Sequence, residues 1–531
     1  MNNSVRSRFF LVVILFATCG ALIFPATSLG QFIGPIVTQA TRRGVSPPLR
    51  EMKLVPASRS RVPAENSLEE QLEAQGEGRH PLPADVPAGM QFDAALQAAA
   101  PTTLNVTLGL NFDGVPGLQY STSDVNGSVG ATQYVQYTNW RFSVYNKTTG
   151  AKVLGPAAES TLWTSLGGPC AKSNDGDVIV LYDKQAQRWI FTHHALATGG
   201  PFYQCFAVSK TSDATGAYYL YQYNLTNNFP DYPKLGVWSD GYYMSTNLEN
   251  PTTFAFVATQ VCAFNRAQML VGAAAAEVCF QTSQFQSLLP ADIDGATAPP
   301  AGSPEMYLSL TSTGLDLFKV KVNWTTLSKS TFTGPTPITV AAFNEACRGL
   351  QCIPQLDTSQ VLDSLADRLM YRLAYRNSGS HDALTVTHAV TAGSSTGMRW
   401  YEIRNPRVTP IVYQQGTYAP DSKYRWMGSI AMDKVGDMAL GYSVSSATQH
   451  PGIAFTGRLA TDALGTMESE INVITGGGSE QSPNYRWGDY TSMSIDPVDD
   501  CTFWYTNQYY KTDSLESWST RVVSFKFPSC K

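Results

Sequence analysis

The sequence predicts an all-β protein, and two observations support this fold class. Between residues 177 and 224, four short segments rich in β-branched and aromatic residues follow one another, separated by turn residues. Similar strand starts return near residues 235, 369, 427 and 488, mostly about 58 residues apart. A four-stranded sheet cannot bury both of its faces alone, so repeated copies must stack around an axis. We therefore predict a β-propeller of four-stranded antiparallel blades.

The repeat spacing also predicts the number of blades. The interval from residue 235 to residue 369 holds two repeats and a longer loop near 289–304, and one more blade fits from residue 119. These positions predict seven blades, within the range of about four to eight that propellers contain.

The first thirty residues are predicted to be a signal peptide. Arg6 and Arg8 precede an apolar run over 9–24, and Ser28-Leu29-Gly30 places small residues where a signal peptidase cleaves. The run is too short and too early for a membrane span. We expect a secreted or cell-surface protein with no membrane span after cleavage.

Residues 31–103 are predicted to be a disordered linker or propeptide, and residues 104–531 the propeller domain. The linker carries Pro47-Pro48 and an acidic run over 65–77 but no sustained periodicity. From Leu104 to Phe112, apolar residues alternate strictly with polar residues or glycine, which is typical of a half-buried strand. Only three strands are evident after Trp487. Because a propeller closes its ring to remove open edges, we predict that the strand near 104–112 completes the C-terminal blade.

Cysteine usage agrees with export. The leader holds Cys19, one of nine cysteines, and the even number that follows suggests disulfides. The spacing favours bonds between neighbours in sequence, each stapling one blade or loop. The predicted pairs are Cys170–Cys205, Cys262–Cys279, Cys347–Cys352 and Cys501–Cys530.

The charge of the chain argues against nucleic-acid and anionic-membrane partners. The formal net charge is −5, with 37 basic and 42 acidic residues. A surface of that sign repels phosphate backbones unless it carries a local basic patch. Low charge content and many aromatic residues instead favour a glycan or an extracellular protein as partner, and we expect a monomer.

Basic residues precede several of the predicted inner strands. Two segments, Tyr424-Arg425-Trp426 and Tyr485-Arg486-Trp487, resemble each other closely, and Lys234 and Arg372 fall near equivalent positions. Since these loops meet at one mouth of the channel, we predict a cationic funnel that binds a carboxylate or sulfate. The structural alternative is that each arginine pairs with an aspartate and stacks on a tryptophan. The predicted ligand-binding residues are Lys234, Arg372, Arg425, Trp426, Arg486, Trp487, Asp489 and Tyr490.

One turn carries a family resemblance. Residues 209–218 form a loosened Asp-box, with Asp213 and Gly216 in the turn, and Asp462-Ala463-Leu464-Gly465 is a fainter echo. Over residues 105–531 the chain resembles secreted bacterial β-propeller proteins of the sialidase-like kind, at the level of repeat architecture. The resemblance implies that Arg372, Arg425 and Arg486 would imitate the three arginines that hold a substrate carboxylate. The sequence contains no Arg-Ile-Pro motif, and it assigns no catalytic residues.

Other polar constellations have ordinary structural explanations. His193 and His194 are neighbours on a predicted strand and face opposite sides, which favours a packing role. Three groups of aspartates could supply oxygen ligands to Ca²⁺, although none completes an EF-hand loop. We predict no cofactor and no metal site, with Ca²⁺ as the alternative. The three groups are Asp175/Asp177, Asp292/Asp294 and Asp496/Asp499/Asp500.

Two functional classes therefore remain. The first is an extracellular module that binds a glycan or a protein through the channel mouth. The second is a carbohydrate-active enzyme, either a sialidase-like glycoside hydrolase or a polysaccharide lyase, acting on an acidic glycan. The sequence does not decide whether the protein is an enzyme, because a fold hosts many functions and no acid–base pair stands out.

Overall fold

A computed structural model describes residues 32–56, 93–97, 101–117, 122–196 and 200–531. The predicted signal peptide, residues 1–30, lies outside these ranges. Strands dominate the regular structure, with one α-helical turn, α1 (Arg266–Met269). Within these ranges no helix is long and apolar enough to span a membrane. Short 3₁₀ turns cover Leu49–Glu51, Glu159–Trp163, Pro169–Ala171, Leu327–Lys329 and Ala346–Gly349.

The strands follow one another with short connections. The strands up to residue 158 are β1 (Ile33–Gln39), β2 (Arg42–Val45), β3 (Thr107–Asp113), β4 (Asn126–Val129), β5 (Gln133–Thr138), β6 (Arg141–Asn146) and β7 (Lys152–Ala158). The next are β8 (Ile179–Asp183), β9 (Arg188–Ala195), β10 (Phe202–Ser209), β11 (Tyr218–Thr226), β12 (Phe229–Val237), β13 (Gly241–Glu249), β14 (Phe256–Asn265) and β15 (Ala276–Thr282). Then come β16 (Leu289–Asp294), β17 (Glu305–Thr311), β18 (Gly314–Lys321), β19 (Thr331–Thr339), β20 (Gln351–Ile353), β21 (Leu362–Asp363), β22 (Met370–Asn377), β23 (Asp382–Ala392), β24 (Ser395–Arg404) and β25 (Ile411–Tyr418). The last are β26 (Tyr424–Met432), β27 (Met438–Ser446), β28 (Gln449–Arg458), β29 (Ile471–Ile474), β30 (Ser492–Ile495), β31 (Phe503–Tyr509) and β32 (Ser519–Lys526).

Consecutive strands pair antiparallel in sets of four, as the repeats predict. These sets are β4–β7, β8–β11, β12–β15, β16–β19, β22–β25 and β26–β29. A parallel pairing of β16 with β22 joins two of the sets into one eight-stranded sheet, and β20 with β21 forms a separate ribbon. The all-β class and the four-stranded antiparallel sheets are therefore confirmed.

The N-terminal strand completes the last sheet. β3 pairs antiparallel with β32, with Leu108 opposite Phe525 and Phe112 opposite Val522, and the sheet has the order β3-β32-β31-β30. This pairing confirms the predicted closure. All four predicted disulfides are also present, and Cys501–Cys530 staples this closing sheet.

The prediction of a disordered segment over 31–103 is wrong for its first part. β1 pairs antiparallel with β15, and β2 with β11, so that two sheets gain a fifth strand. The outer strand of a sheet presents unpaired backbone groups, and these arms satisfy them. Nearly every residue of β1 and β2 is exposed, so neither arm has the alternating apolar pattern that identifies a half-buried strand.

Residues 93–97 are likewise attached to the fold. Leu96 bridges Thr417 of β25, and the carboxylate of Asp93 accepts hydrogen bonds from Arg399 and from the Thr417 hydroxyl. The guanidinium of Arg399 is fully buried. This segment therefore holds a carboxylate against a cation inside the protein.

Inner strands of neighbouring sets are joined by side-chain hydrogen bonds. Asn126 Oδ1 of β4 accepts from the Val180 N–H of β8 at 2.9 Å, and Ser429 Oγ of β26 accepts from the Met493 N–H of β30 at 3.0 Å. The Ser492 hydroxyl of β30 donates to the Gly127 carbonyl of β4 at 2.9 Å. These contacts connect the first set to the last and fix the inner strands relative to one another.

Candidate functional site

The backbone bends in the same way before the inner strands or in their first halves. A non-glycine residue takes a positive φ at each bend, a conformation that few such residues adopt. The φ values include 43° at Asp124, 49° at Asp177, 54° at Tyr232, 51° at Met427 and 60° at Tyr485.

Carboxylates tie these bends together. Asp124 Oδ1 accepts from the Asp489 N–H at 3.1 Å, and Asp177 Oδ2 accepts from the Tyr232 N–H at 3.0 Å. These two bonds link four sheets, so the leading ends of their inner strands meet at one end of the molecule.

Lys234 lies at the centre of this end. Its side chain is buried, and its Nζ lies 3.4 Å from the ring centroid of Tyr232 and 4.0 Å from that of Tyr490. The Nζ donates one hydrogen bond, to the Pro233 carbonyl at 3.0 Å, and among the described residues it forms no ion pair. Burial lowers the pKa of Lys234 to about 8, although surrounding carboxylates, Asp177 first, act in the opposite direction.

A second cation lies on the other side of this group. The Arg368 guanidinium lies 4.4 Å from the Tyr232 ring centroid, and its Nε and Nη2 donate to the Asp367 carboxylate at 2.8 and 2.9 Å. We define the axial cluster as Asp124, Asp177, Tyr232, Lys234, Arg368, Asp489 and Tyr490. Asp124, Asp177, Tyr232 and Arg368 were not predicted as site residues. In the sequence, these four residues could be recognised only by their position just before an inner strand or in its first half.

Residues 486–490 contribute two kinds of side chain. Arg486 binds the carboxylate of Asp489 at 2.5 Å, and the Tyr490 hydroxyl donates to the Val178 carbonyl at 3.0 Å. Trp487 is buried, packs on Trp426 with ring centroids 5.6 Å apart, and donates its Nε1–H to Ser443. The two tryptophans therefore belong to the core, whereas Asp489 and Tyr490 belong to the axial cluster.

Arg372 and Arg425, predicted to line the cationic funnel with Lys234, each bind two carboxylates. Arg372 Nη1 and Nη2 bind Asp292 at 2.8 Å and Asp294 at 2.6 Å. Arg425 binds Asp421 at 2.8 Å and Glu470 at 2.9 Å. The two guanidiniums have separate carboxylate partners, as the structural alternative predicts.

Several of the aspartates considered as calcium ligands have cationic partners. Lys184 binds Asp294, and Arg376 binds both oxygens of Asp500 at 2.7 and 2.8 Å. Lys147 binds Asp496 at 2.9 Å. These partners account for the three carboxylates as ion pairs.

The histidine pair is buried. Neither His193 nor His194 is exposed by more than 1%, and His193 packs on Trp163 with ring centroids 4.5 Å apart. His193 Nδ1 lies 3.4 Å from Glu159 Oε2. Burial raises the pKa of Glu159 to about 8 and lowers the pKa of His193 to about 4, so the contact is between neutral groups near pH 6.

Comparisons with known proteins give low-identity structural neighbours. No protein-family model and no curated protein matches the chain. A subtype N11 neuraminidase-like protein of A/flat-faced bat/Peru/033/2010 is 9% identical, with coverage of 69% of this chain and 99% of that one and a TM-score of 0.32. Phage phi92 endosialidase is 8% identical, with coverage of 79% and 69% and a TM-score of 0.34. Drosophila Semaphorin 1b, extracellular domains 1–2, is 6% identical, with coverage of 80% and 88% and a TM-score of 0.36. The sialidase-like resemblance recurs here at the level of the fold alone, and no residue role is transferred.

Proposed function

We propose that this protein is an extracellular, seven-bladed β-propeller that binds an acidic glycan at the axial cluster. The blade count is supported by six sets of four consecutive strands and the closing sheet of β3 with β30–β32. Export is supported by four disulfides, which persist in oxidising compartments.

The observation that supports the proposal most directly is that the buried ammonium of Lys234 has no carboxylate partner among the described residues. Of the three donors on its ammonium, the Pro233 carbonyl takes one, and no carboxylate within the described ranges lies at ion-pair distance. A buried charge without a partner is unfavourable, and a carboxylate or sulfate on a ligand would relieve it.

The residues around Lys234 suit a sugar that carries a carboxylate or a sulfate. The faces of Tyr232 and Tyr490 supply apolar contact area, and the Arg368 guanidinium provides further positive charge beside it. The carboxylates of Asp177 and Asp489 supply acceptors for ligand hydroxyl groups. We therefore favour an acidic sugar over a neutral one.

The test is a binding screen of the protein lacking residues 1–30 against acidic and neutral polysaccharides. A glycan that binds the protein should bind Lys234→Met about tenfold to hundredfold more weakly, because a charge-assisted hydrogen bond contributes about 1.5–3 kcal/mol. Lys511→Met is the matched control, since Lys511 is an exposed lysine paired with Asp113 on the closing sheet. Equal binding by wild type and Lys234→Met would overturn the proposal.

A second candidate function is hydrolysis of the same glycan. Burial, with Glu249 and Asp177 nearby, raises the pKa of Asp231 well above its usual range, which favours the protonated form of its carboxyl. A protonated carboxyl near an ionisable one is the arrangement of an acid–base pair in glycosidases. Reducing ends that accumulate with wild type but not with Asp231→Asn would favour this function, and binding without product would exclude it.

A further inference from the structure

A cleft of about 240 Å³ opens at the other end of the strands. It lies between the sheets β22–β25 and β26–β29, and its lining residues come from the trailing ends of β22, β24, β26 and β28, the start of β25 and the adjoining loops. The axial cluster uses the leading ends of the inner strands, so the two places are separate. The lining includes Arg404, Tyr413, Asp433, Lys434 and Arg458.

Arg458 is a buried cation that forms no ion pair among the described residues. Its residue is 1% exposed, its Nε donates to the Thr466 carbonyl at 3.2 Å, and its Nη2 donates to the Asp462 carbonyl at 2.9 Å. Its Nη1 has no hydrogen-bond partner, and no carboxylate lies within ion-pair distance, in the part of the chain that the structure describes. Because burial of an unpaired charge is costly, an anion in the cleft would stabilise this group.

A second guanidinium lies at the mouth of the cleft. Arg404 stacks on Tyr413 at 3.2 Å from the ring centroid, and its Nε binds Glu402 at 2.5 Å, whereas its two Nη atoms have no partner within the described ranges. About a quarter of the Arg404 side chain is exposed. Its remaining donors are therefore available to a ligand that lies against Tyr413.

Asp433 supplies a buried acceptor. Its Oδ1 accepts the N–H groups of three following residues, whereas its Oδ2 is buried and has no partner among the described residues. A ligand hydroxyl can donate to Oδ2. The other charged lining groups already have partners, since Glu402 also accepts from Gln414 and Arg376 binds Asp500.

We propose that this cleft is a second binding site, specific for a sugar acid. The ligand carboxylate would bind the guanidiniums of Arg458 and Arg404, and a ring hydroxyl would donate to Asp433 Oδ2. Tyr413, 38% exposed, would provide a stacking face at the rim.

Calorimetric titration with glucuronate tests the site, and the Lys234→Met background removes the axial cluster from the measurement. In that background Arg458→Met should weaken glucuronate binding about tenfold to hundredfold. Arg521→Met is the matched control, because Arg521 is a partly exposed arginine on the closing sheet. Glucose, which lacks the carboxylate, should bind much more weakly than glucuronate.

A stability measurement separates lost binding from lost folding. Without ligand, Arg458→Met removes an unpaired buried charge but also the hydrogen bonds to the Thr466 and Asp462 carbonyls, so its urea midpoint is measured first to establish that the variant folds. Glucuronate should raise the midpoint of the parent and leave that of Arg458→Met unchanged. If Arg458→Met fails to fold, Arg404→Met at the rim serves as the second variant. Unchanged glucuronate affinity in the folded variant, or equal affinity for glucose, would overturn the proposal.

Discussion

Replacing Arg372 with methionine should destabilise the protein through the carboxylates left behind. The Arg372 guanidinium is buried between Asp292 and Asp294, at 2.8 and 2.6 Å, and also donates to the Met493 carbonyl at 3.2 Å. Methionine fills a similar volume without a charge. The substitution therefore removes the cation and leaves two buried acids.

The expected loss of stability depends on which of the two aspartates keeps a cationic partner in Arg372→Met. Removing one partner of a buried ion pair costs about 3–5 kcal/mol. Lys184 still binds Asp294, so the acid without an ion pair is Asp292, and we expect a loss near the lower limit, about 3 kcal/mol. Neutralising that acid in Arg372→Met/Asp292→Asn should recover most of the loss.

Equilibrium urea unfolding followed by tryptophan fluorescence, at pH 7 and pH 5, measures these differences. Burial already raises the pKa of Asp292, and loss of Arg372 raises it further, so Asp292 takes up a proton as the pH falls. The deficit of Arg372→Met should therefore be smaller at pH 5 than at pH 7. A double variant as unstable as the single variant, or a deficit independent of pH, would refute this reasoning.

Two further predictions concern other buried charges. Asp93→Ala should leave the Arg399 guanidinium without its carboxylate, destabilise the protein by about 3 kcal/mol and expose residues 93–97 to limited proteolysis; protection equal to wild type would contradict this. Glu159→Gln should abolish a contribution to stability that is lost as the pH rises from about 4.5 to 8, because the raised pKa of Glu159 makes the folded state hold a proton that the unfolded state has lost. His193 has a lowered pKa, so its contribution falls instead as the pH drops from about 6.5 to 4. Glu159 offsets most of this fall in wild type, so the acid limb should be steeper in the variant. Urea midpoints across this pH range measure both limbs, and an unchanged alkaline limb would count against the Glu159 assignment.

Structural features formed by residues close together in the sequence could be predicted from the sequence alone. The four-stranded sets follow from short apolar segments and turns, and each disulfide joins cysteines 5 to 35 residues apart. The closing strand was predictable as well, because its alternating pattern remained without a partner in a fold that leaves no open edge.

The grouping of the basic residues was not predictable from repeat position. Irregular pairing interrupts β22 between Met370 and Ala374 and β26 between Trp426 and Ser429. A bulge or a one-residue shift changes the face on which a strand residue lies. The carboxylates that bind Arg372 also lie about 80 residues away in sequence, so the pairing has no local signal. Of the two tyrosines that Lys234 contacts, Tyr490 was among the predicted residues and Tyr232 was not.

The pairing of β3 with β32 means that the last sheet cannot form until the end of the chain has been synthesised. Asp113 of β3 and Arg521 of β32 interact across a separation of 408 residues, so β3 leaves the ribosome long before its partner. At about 5–20 residues per second, β3 waits roughly 20–80 s for β32. During this interval its backbone edges are open to wrong partners, and exposed polar residues such as Asn111 and Asp113 make it a poor template for aggregation. The last sheet can therefore close only after β32 has been synthesised, when a strand made early docks against the last strand of the chain.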